Sequence, residues 1–322
     1  MTKVLVTGGS GFIGTNLIES LILAGHEIVN LDSSSPLDSS QARYWVAGDL
    51  FDLPSLKKAF EAFQPEWVVH LAARTDTLSE RLEDYDVNTR GTANVLEAVK
   101  ACPSIRRLLV TSTQYVYKSA NRPFPSHETD FKPHTVYGQS KVITEQLTRD
   151  AGLECEWCII RPSNIWGPWH MRYPQELWRV LAKGHYVHPG KAPVIRTYGY
   201  VKNIVHQIEG ILAAPASLIQ GKVYYLGDLP IDSYLWLNEI SKQVRGRDIH
   251  RVPKFCLQIP AYFGDLLMKF GMKFPLHSIR YANMVEDFYA PTNHTISLFG
   301  VRNPSIAENV KETLAWIKQM KL

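Results

Sequence analysis

Short apolar runs alternate with longer helical patterns through the first half of the chain. Val4–Val6, Glu27–Leu31, Trp67–His70, Leu108–Thr111 and Trp157–Ile160 read as strands. Between them, Phe12–Leu23, Leu53–Phe63, Tyr85–Ala101 and Tyr137–Ala151 place apolar residues at helical spacing. Strands that alternate with helices of this length predict βαβ units and a parallel sheet covered on both faces. Another strand is expected at Val223–Leu226, far downstream, so a segment of the second half should complete the sheet.

The second half has a different texture. Pro162 to Ala192 is rich in Pro, Trp, Tyr and Gly and reads as loops around a helix near Gln175–Ala182. Helices are expected at Tyr234–Val244, Phe255–Phe270, Leu276–Phe288 and Ile306–Met320. This predicts a smaller, mostly helical lobe over residues 166–322, beside a sheet domain over 1–165 that is completed by a segment near 199–228. A cleft is expected between them.

Composition narrows the class. With 45% hydrophobic and 20% charged residues among 322, the chain can bury a large core and is not disordered. A formal net charge of +4, without a dense Lys/Arg block, argues against a nucleic-acid partner. No apolar run of about 18 residues occurs, so neither a membrane span nor a membrane partner is expected. The apolar run at Val4–Val6 stops at Thr7-Gly8-Gly9, too short for a signal peptide, which implies a cytoplasmic protein. Cys155 and Cys158 have metal-like spacing but no second pair or nearby His, so no metal site is expected.

Candidate chemistry begins at Thr7-Gly8-Gly9-Ser10-Gly11-Phe12-Ile13-Gly14. Glycines at 8, 11 and 14 follow a strand and open an amphipathic helix. Gly8 would permit the tight turn, Gly11 the approach of a pyrophosphate, and Gly14 close packing of the helix on the sheet. The helix N-terminus would offer free N–H groups to phosphates. Together these make the fold class an α/β, Rossmann-type doubly wound parallel sheet. Asp32 ends the second strand, where its carboxylate could accept from both adenosine ribose hydroxyls and repel a 2′-phosphate. That favours NAD over NADP. Asp49 follows another strand and could meet the adenine edge.

Tyr137-Gly138-Gln139-Ser140-Lys141 places Tyr137 and Lys141 on one helix face. Lys141 could lower the tyrosine pKa and also hold the nicotinamide ribose, so that Tyr137 exchanges a proton with a substrate hydroxyl. The strand Leu109–Thr111 runs into Ser112 and Thr113. A hydroxyl at the carboxyl end of a parallel strand can orient the reacting oxygen toward Tyr137.

With these pieces in place the sequence resembles the NAD-dependent epimerase/dehydratase family, the extended short-chain dehydrogenases acting on nucleotide sugars. The resemblance rests on the three glycines, His70-Leu71-Ala72-Ala73, Asn88 with Gly91-Thr92, Ser112-Thr113 with Val116-Tyr117, Tyr137 with Lys141, and Arg161-Pro162-Ser163-Asn164 with Gly167-Pro168. It covers about the first 170 residues in order, and more loosely extends through Arg196 and Arg280 to Trp316. It implies Thr113, Tyr137 and Lys141 as catalytic residues. It implies a cofactor lining of Gly8, Gly11, Phe12, Ile13, Gly14, Asp32, Asp49, Leu50, Leu71, Ala72, Ala73, Asn88, Thr111, Pro162 and Ser163, besides Tyr137 and Lys141. Arg74, Thr113 and Asn164 would meet the substrate, and Arg196 and Arg280 would clamp its diphosphate.

There are departures. Family dehydratases carry Asp-Glu directly after the catalytic Thr, and here those positions are Gln114 and Tyr115. Lys118 stands where Gly is usual and should alter the adjacent loop. Trp166, Trp169 and His170 could form an aromatic substrate wall or simply pack. The resemblance implies a nucleotide-sugar epimerase oxidising C4 transiently. The alternatives are a keto-sugar reductase or a sterol-type dehydrogenase. A non-enzymatic dinucleotide sensor is disfavoured by the intact Thr113–Tyr137–Lys141 set. A homodimer through the helices at Tyr85–Ala101 and Tyr137–Ala151 is also expected.

Overall fold

The computed structural model describes residues 1–117, 125, 127–272, 274 and 276–321. Lys118 lies outside the described residues. In the first half the elements are β1 (Lys3–Thr7), α1 (Phe12–Leu23), β2 (Glu27–Asp32), β3 (Trp45–Ala47), α2 (Leu53–Phe63), β4 (Trp67–His70), α3 (Thr92–Lys100), β5 (Arg107–Thr111), α4 (Val136–Asp150) and β6 (Glu156–Pro162). Then follow β7 (Asn164–Trp166), α5 (Arg179–Ala182), β8 (His188–Pro189), β9 (Ile195–Arg196), β10 (Tyr198–Tyr200), α6 (Val201–Ala213) and β11 (Lys222–Leu226). Last come β12 (Ile231–Asp232), α7 (Ser233–Arg245), β13 (Arg251–Val252), α8 (Phe255–Lys269), α9 (Ser278–Val285), α10 (Asn293–Phe299) and α11 (Ile306–Gln319).

Seven strands form one parallel sheet in the order β11-β6-β5-β4-β1-β2-β3. The chain thus winds outward from β1 in both directions, and the order reverses between β1 and β4, where ligands of such sheets bind. The double-sided cover explains the unbroken apolar runs. Val4 and Val6 face a core shared with Leu17, Ile18 and Leu21 of α1 and Ile204, Ile208 and Ile211 of α6. Leu5 between them faces Leu56 and Phe60 of α2 and Val95 and Val99 of α3. Cys158 lies in the first core and Cys155 packs against the second, on opposite faces as strand spacing requires.

Three segments depart from their sequence patterns. The expected helix at Tyr85–Ala101 is divided into a 3-10 turn at Leu82–Tyr85, a π-turn at Val87–Gly91 and α3. At the π-turn the Asn88 carbonyl accepts from the Thr92 hydroxyl at 2.8 Å and from the Thr144 hydroxyl of α4 at 2.5 Å. Near Gln175–Ala182, a π-turn over Pro174–Trp178 precedes the short α5. The expected helix at Leu276–Phe288 is only α9, because Glu286 turns extended and Phe288 donates its N–H to the Ile195 carbonyl at 2.9 Å. That tail pairs with β9 instead of continuing the helix.

The second lobe has its own aromatic core of Trp166, Trp178, Tyr198, Tyr200 and Trp236, joined by Leu237, Ile240 and Val310 from α7 and α11. The chain crosses between lobes more than once. It leaves the sheet after β6, returns through α6 and β11 to complete it, and leaves again for α7.

Candidate active site

The turn after β1 is shaped by close approaches. Gly8 has a φ of +74°, and a Cβ there would lie 2.4 Å from the Ala72 backbone nitrogen. A Cβ on Gly14 would lie 2.5 Å from the Gly8 carbonyl oxygen. Both positions therefore need glycine, and α1 can start directly against the turn. The first-turn N–H groups of α1, at Phe12 and Ile13, have no intrahelical partner.

A groove of about 500 Å³ runs along this turn. It is lined by Gly8, Gly11, Phe12, Ile13, Gly14, Asp32, Asp49, Leu50, Leu71, Ala72, Ala73 and Arg74. The Asp32 carboxylate accepts the Ser10 N–H at 3.1 Å and the Ser34 N–H at 2.9 Å. A carboxylate has about four acceptor positions, so capacity remains for a diol. Asp49 accepts the Phe51 N–H at 2.9 Å.

A second cavity of about 260 Å³ shares Phe12, Ile13, Leu71 and Ala73 with the groove and so continues it. It holds Thr111, Thr113, Tyr137, Lys141, Pro162, Ser163 and Asn164. Nearly all the sequence-selected residues thus meet at the carboxyl ends of β1, β4, β5 and β6. The buried hydroxyls of Thr111 and Ser163 have no partner among the described residues. Orphaned hydroxyls beside a phosphate-compatible turn fit a polar cofactor spanning both cavities.

Two of the candidate catalytic residues, Tyr137 and Lys141, are carried by α4. The Thr135 hydroxyl caps that helix by accepting the Gly138 N–H at 3.0 Å. Gly138 lets it lie against Tyr115, since a Cβ would come within 2.5 Å of the Tyr115 carbonyl oxygen. Thr113 and Tyr137 line the same cavity, and the Thr113 hydroxyl favours the ionised form of Tyr137. Tyr85 and Tyr115 pack near the Tyr137 ring, with centroids at 6.2 and 5.9 Å.

Electrostatics differ from the sequence expectation. Burial pushes the Tyr137 hydroxyl up to about 12, and the Thr113 hydroxyl, rather than Lys141, acts downward. Burial lowers Lys141 to about 8, partly opposed by the Glu145 carboxylate one turn along. The lysine charge is therefore governed by its surroundings, burial and Glu145.

A model of the NAD dependent epimerase/dehydratase family matches residues 4–227. The chain belongs to that family. It is 31% identical over 305 residues to the N-acetyl-alpha-D-glucosaminyl-diphospho-ditrans,octacis-undecaprenol 4-epimerase of Escherichia coli O157:H7, covering 90% of this chain and 86% of that protein. It is 28% identical over 300 residues to a 3 beta-hydroxysteroid dehydrogenase/Delta 5-->4-isomerase of Mycobacterium tuberculosis (strain ATCC 25618 / H37Rv), covering 85% and 78%. Among solved structures, UDP-glucose 4-epimerase of Thermotoga maritima with UDP-glucose matches the fold with a TM-score of 0.74 at 20% identity, covering 99% of this chain and 100% of that one. This epimerase/dehydratase is accordingly an NAD-dependent enzyme.

Some expected site residues of this epimerase/dehydratase lie elsewhere. Asn88 is fully buried and lines neither cavity. Its side chain accepts the Arg74 N–H at 2.8 Å and donates to the Arg74 carbonyl and the Ser140 hydroxyl, both at 2.9 Å. It fixes the strand-end loop to α4. Arg196 and Arg280 also line neither cavity. Arg196 sits close behind, over the Phe288 ring at 5.9 Å, with a buried Nε that has no partner among the described residues. Arg280 is exposed on α9. Of the three aromatic candidates, His170 lines the cleft, resting on Phe12 at 4.7 Å. Trp166 is buried in the second lobe's core, and Trp169 packs against Trp316 at 5.7 Å.

Thr75 and Asp76, which follow Arg74 where substrate recognition was expected, line the cleft, and sequence reasoning missed Arg172 and Tyr173, which line it too. Arg172 and Arg196 both pull down the hydroxyl pKa values of Tyr115 and Tyr173 against the larger effect of burial, so two guanidinium groups flank this cavity. Arg172 followed Trp169-His170 in a loop without periodicity, and nothing local marked it.

Proposed function

We propose that this enzyme is a sugar 4-epimerase acting on a diphosphate-activated sugar, a nucleotide sugar in the first instance, by transient oxidation at C4. The carrying observation is the Tyr137–Thr113 hydroxyl pair in the cavity that continues the cofactor groove. NAD, when bound, supplies the hydride acceptor, which is regenerated each cycle. Thr113 orients the sugar hydroxyl, Tyr137 takes its proton and later returns it, and Lys141 holds a positive charge nearby. In this reading Arg172, which lines the cleft, and Arg196 behind it would meet a diphosphate beyond the sugar. Arg172 takes the part first expected of Arg280.

The groups after Thr113 support epimerisation over dehydration. Gln114 is buried with both amide atoms unpartnered among the described residues, and Tyr115 packs on His134 and Phe288. Neither supplies the carboxylate pair that water elimination needs. Purified enzyme should be screened against UDP-sugars, dTDP-sugars and polyprenyl-diphosphate sugars, with products read by NMR and NADH by absorbance. The expected result is an inverted C4 with no net NADH. Steady NADH accumulation on a 3β-hydroxysteroid would instead favour a dehydrogenase, a reading that the aromatic faces of Tyr115 and Tyr173 in the cleft would suit.

Cofactor preference follows from Asp32, whose carboxylate would repel a 2′-phosphate. Calorimetry is expected to show tighter binding of NAD than NADP, and Asp32→Ala should narrow that gap. Tighter NADP binding by the unaltered enzyme would refute the role given to Asp32.

The homodimer reading rests on α3 and α4. Ala93, Val142 and Ile143 on these helices stay only half-buried within one chain. Light scattering at micromolar concentration should return twice the chain mass, and a monomer would overturn it.

A further inference from the structure

α8 presents its apolar side outward. Phe255, Ile259, Tyr262, Phe263, Leu266 and Phe270 are all at least 50% exposed. At about 100° per residue they fall within one arc of about 100°. The opposite side of α8 carries Ala261 and Gly264, both buried. A Cβ on Gly264 would come within 2.0 Å of the Leu276 carbonyl oxygen, so the chain entering α9 lies directly on this small-residue side. The Asp265 carboxylate fixes the approach by accepting the Ser278 N–H at 3.0 Å. Met272 and Ile279, on the connection and on α9, are 51% and 69% exposed and extend the apolar surface. A soluble chain rarely leaves a contiguous apolar face of this extent to water.

We propose that the α8–α9 segment docks this enzyme onto an anionic lipid bilayer, lying in the interface rather than crossing it. Length excludes crossing: 15 residues span about 22 Å as a helix, against about 30 Å of hydrocarbon. Among the described residues, no helix is long and apolar enough to cross a membrane. Charge selects the partner. From Arg247 to Arg280 the sequence has six Lys or Arg and two acidic residues. One of those acids, Asp265, is occupied by Ser278, and the other, Asp248, by Asn238 and Lys242. Lys254 and Lys269 bracket α8 at its two ends, both exposed. An apolar stripe with a cationic border matches acyl chains under anionic headgroups. A second copy of the same face would instead bring these cations together. The expectation of no membrane partner rested on the lack of a span, and surface docking requires none.

The placement gives this docking a use. Three residues beyond α9, Phe288 packs on Tyr115 at 5.2 Å, beside Tyr137. The wall of the catalytic cleft is thus continuous with the lipid-facing segment.

The test uses the full chain and vesicles. Wild-type enzyme is expected to sediment with phosphatidylglycerol/phosphatidylcholine vesicles, less with pure phosphatidylcholine, and less again in high salt. Ile259→Glu combined with Ile279→Glu should weaken vesicle binding at least tenfold while leaving NAD affinity unchanged, which shows that the variant is folded. Lys254→Glu with Lys269→Glu should remove the preference for anionic lipid. Wild-type protein left in the supernatant with both vesicle types would overturn the proposal. So would an apolar-face variant that still binds vesicles, or one that halves the assembly mass in light scattering, which would make the face a contact between copies. Vesicle and NAD binding need no sugar, so this outcome is independent of the epimerase reading.

Discussion

Replacing Tyr137 with Phe is expected to lower turnover by about 10²–10⁴-fold, the usual worth of a positioned acid–base group, while NAD affinity stays largely intact. That corresponds to about 3–5 kcal/mol of transition-state stabilisation. The phenyl ring keeps its packing against Tyr85 and Tyr115, and only the hydroxyl facing Thr113 is lost. Thr113→Val should slow turnover less. It removes the hydroxyl that opposes burial in setting the Tyr137 pKa and that accepts the Tyr115 N–H at 3.3 Å. Lys141→Ala should impair both turnover and NAD affinity, because one ammonium would serve tyrosine and ribose. Single-turnover kinetics and calorimetry on the three variants separate these effects. A Tyr137→Phe enzyme with most of its activity would require another route for the proton.

Glu145→Gln should destabilise the fold by about 3–5 kcal/mol, the cost of breaking a buried ion pair by removing one partner. Glu145 and Arg161 are 0% and 1% exposed. The guanidinium donates to both carboxylate oxygens, at 2.8 and 2.7 Å, and the Ser112 hydroxyl adds a third bond at 2.5 Å. Arg161 would keep its charge with no buried carboxylate opposite. The melting temperature should fall by on the order of 10 °C for a domain of this size. The same change reaches Lys141. Glu145 raises the Lys141 pKa against burial, so its loss lowers that pKa below about 8. The ammonium would then be lost at lower pH, and the alkaline fall in turnover should move the same way. A melting curve and pH profile matching the wild type would exclude both roles.

Much of the site was legible because its signals are local. Gly8 and Gly14 are required by backbone contacts within one turn and at the neighbouring strand end. Tyr137 and Lys141 share a face through helix geometry alone. Both therefore survive translation from sequence to structure. Asn88 did not, because its buried amide is satisfied by Arg74 and Ser140, from segments 14 and 52 residues away in sequence. Arg172 lines the cleft while Arg280 is exposed on α9 for the same reason: which guanidinium borders the cleft depends on how the second lobe packs, and no periodic pattern encodes that. Lys141 was expected to set the tyrosine's acidity, but burial by surrounding elements outweighs it.

By itself, then, the sequence determined the strand–helix alternation, the glycine turn, the acidic end of β2 and the shared face of Tyr137 and Lys141, all carried by local patterns. Tertiary structure decided that Trp166 is core and that Glu145 is locked to Arg161. It also decided that the apolar stripe of α8 faces outward. Periodicity reports that a helix has an apolar side; only the packing of distant segments decides whether that side meets protein, and here Ala261 and Gly264 take the inner position because they allow the chain entering α9 to approach most closely.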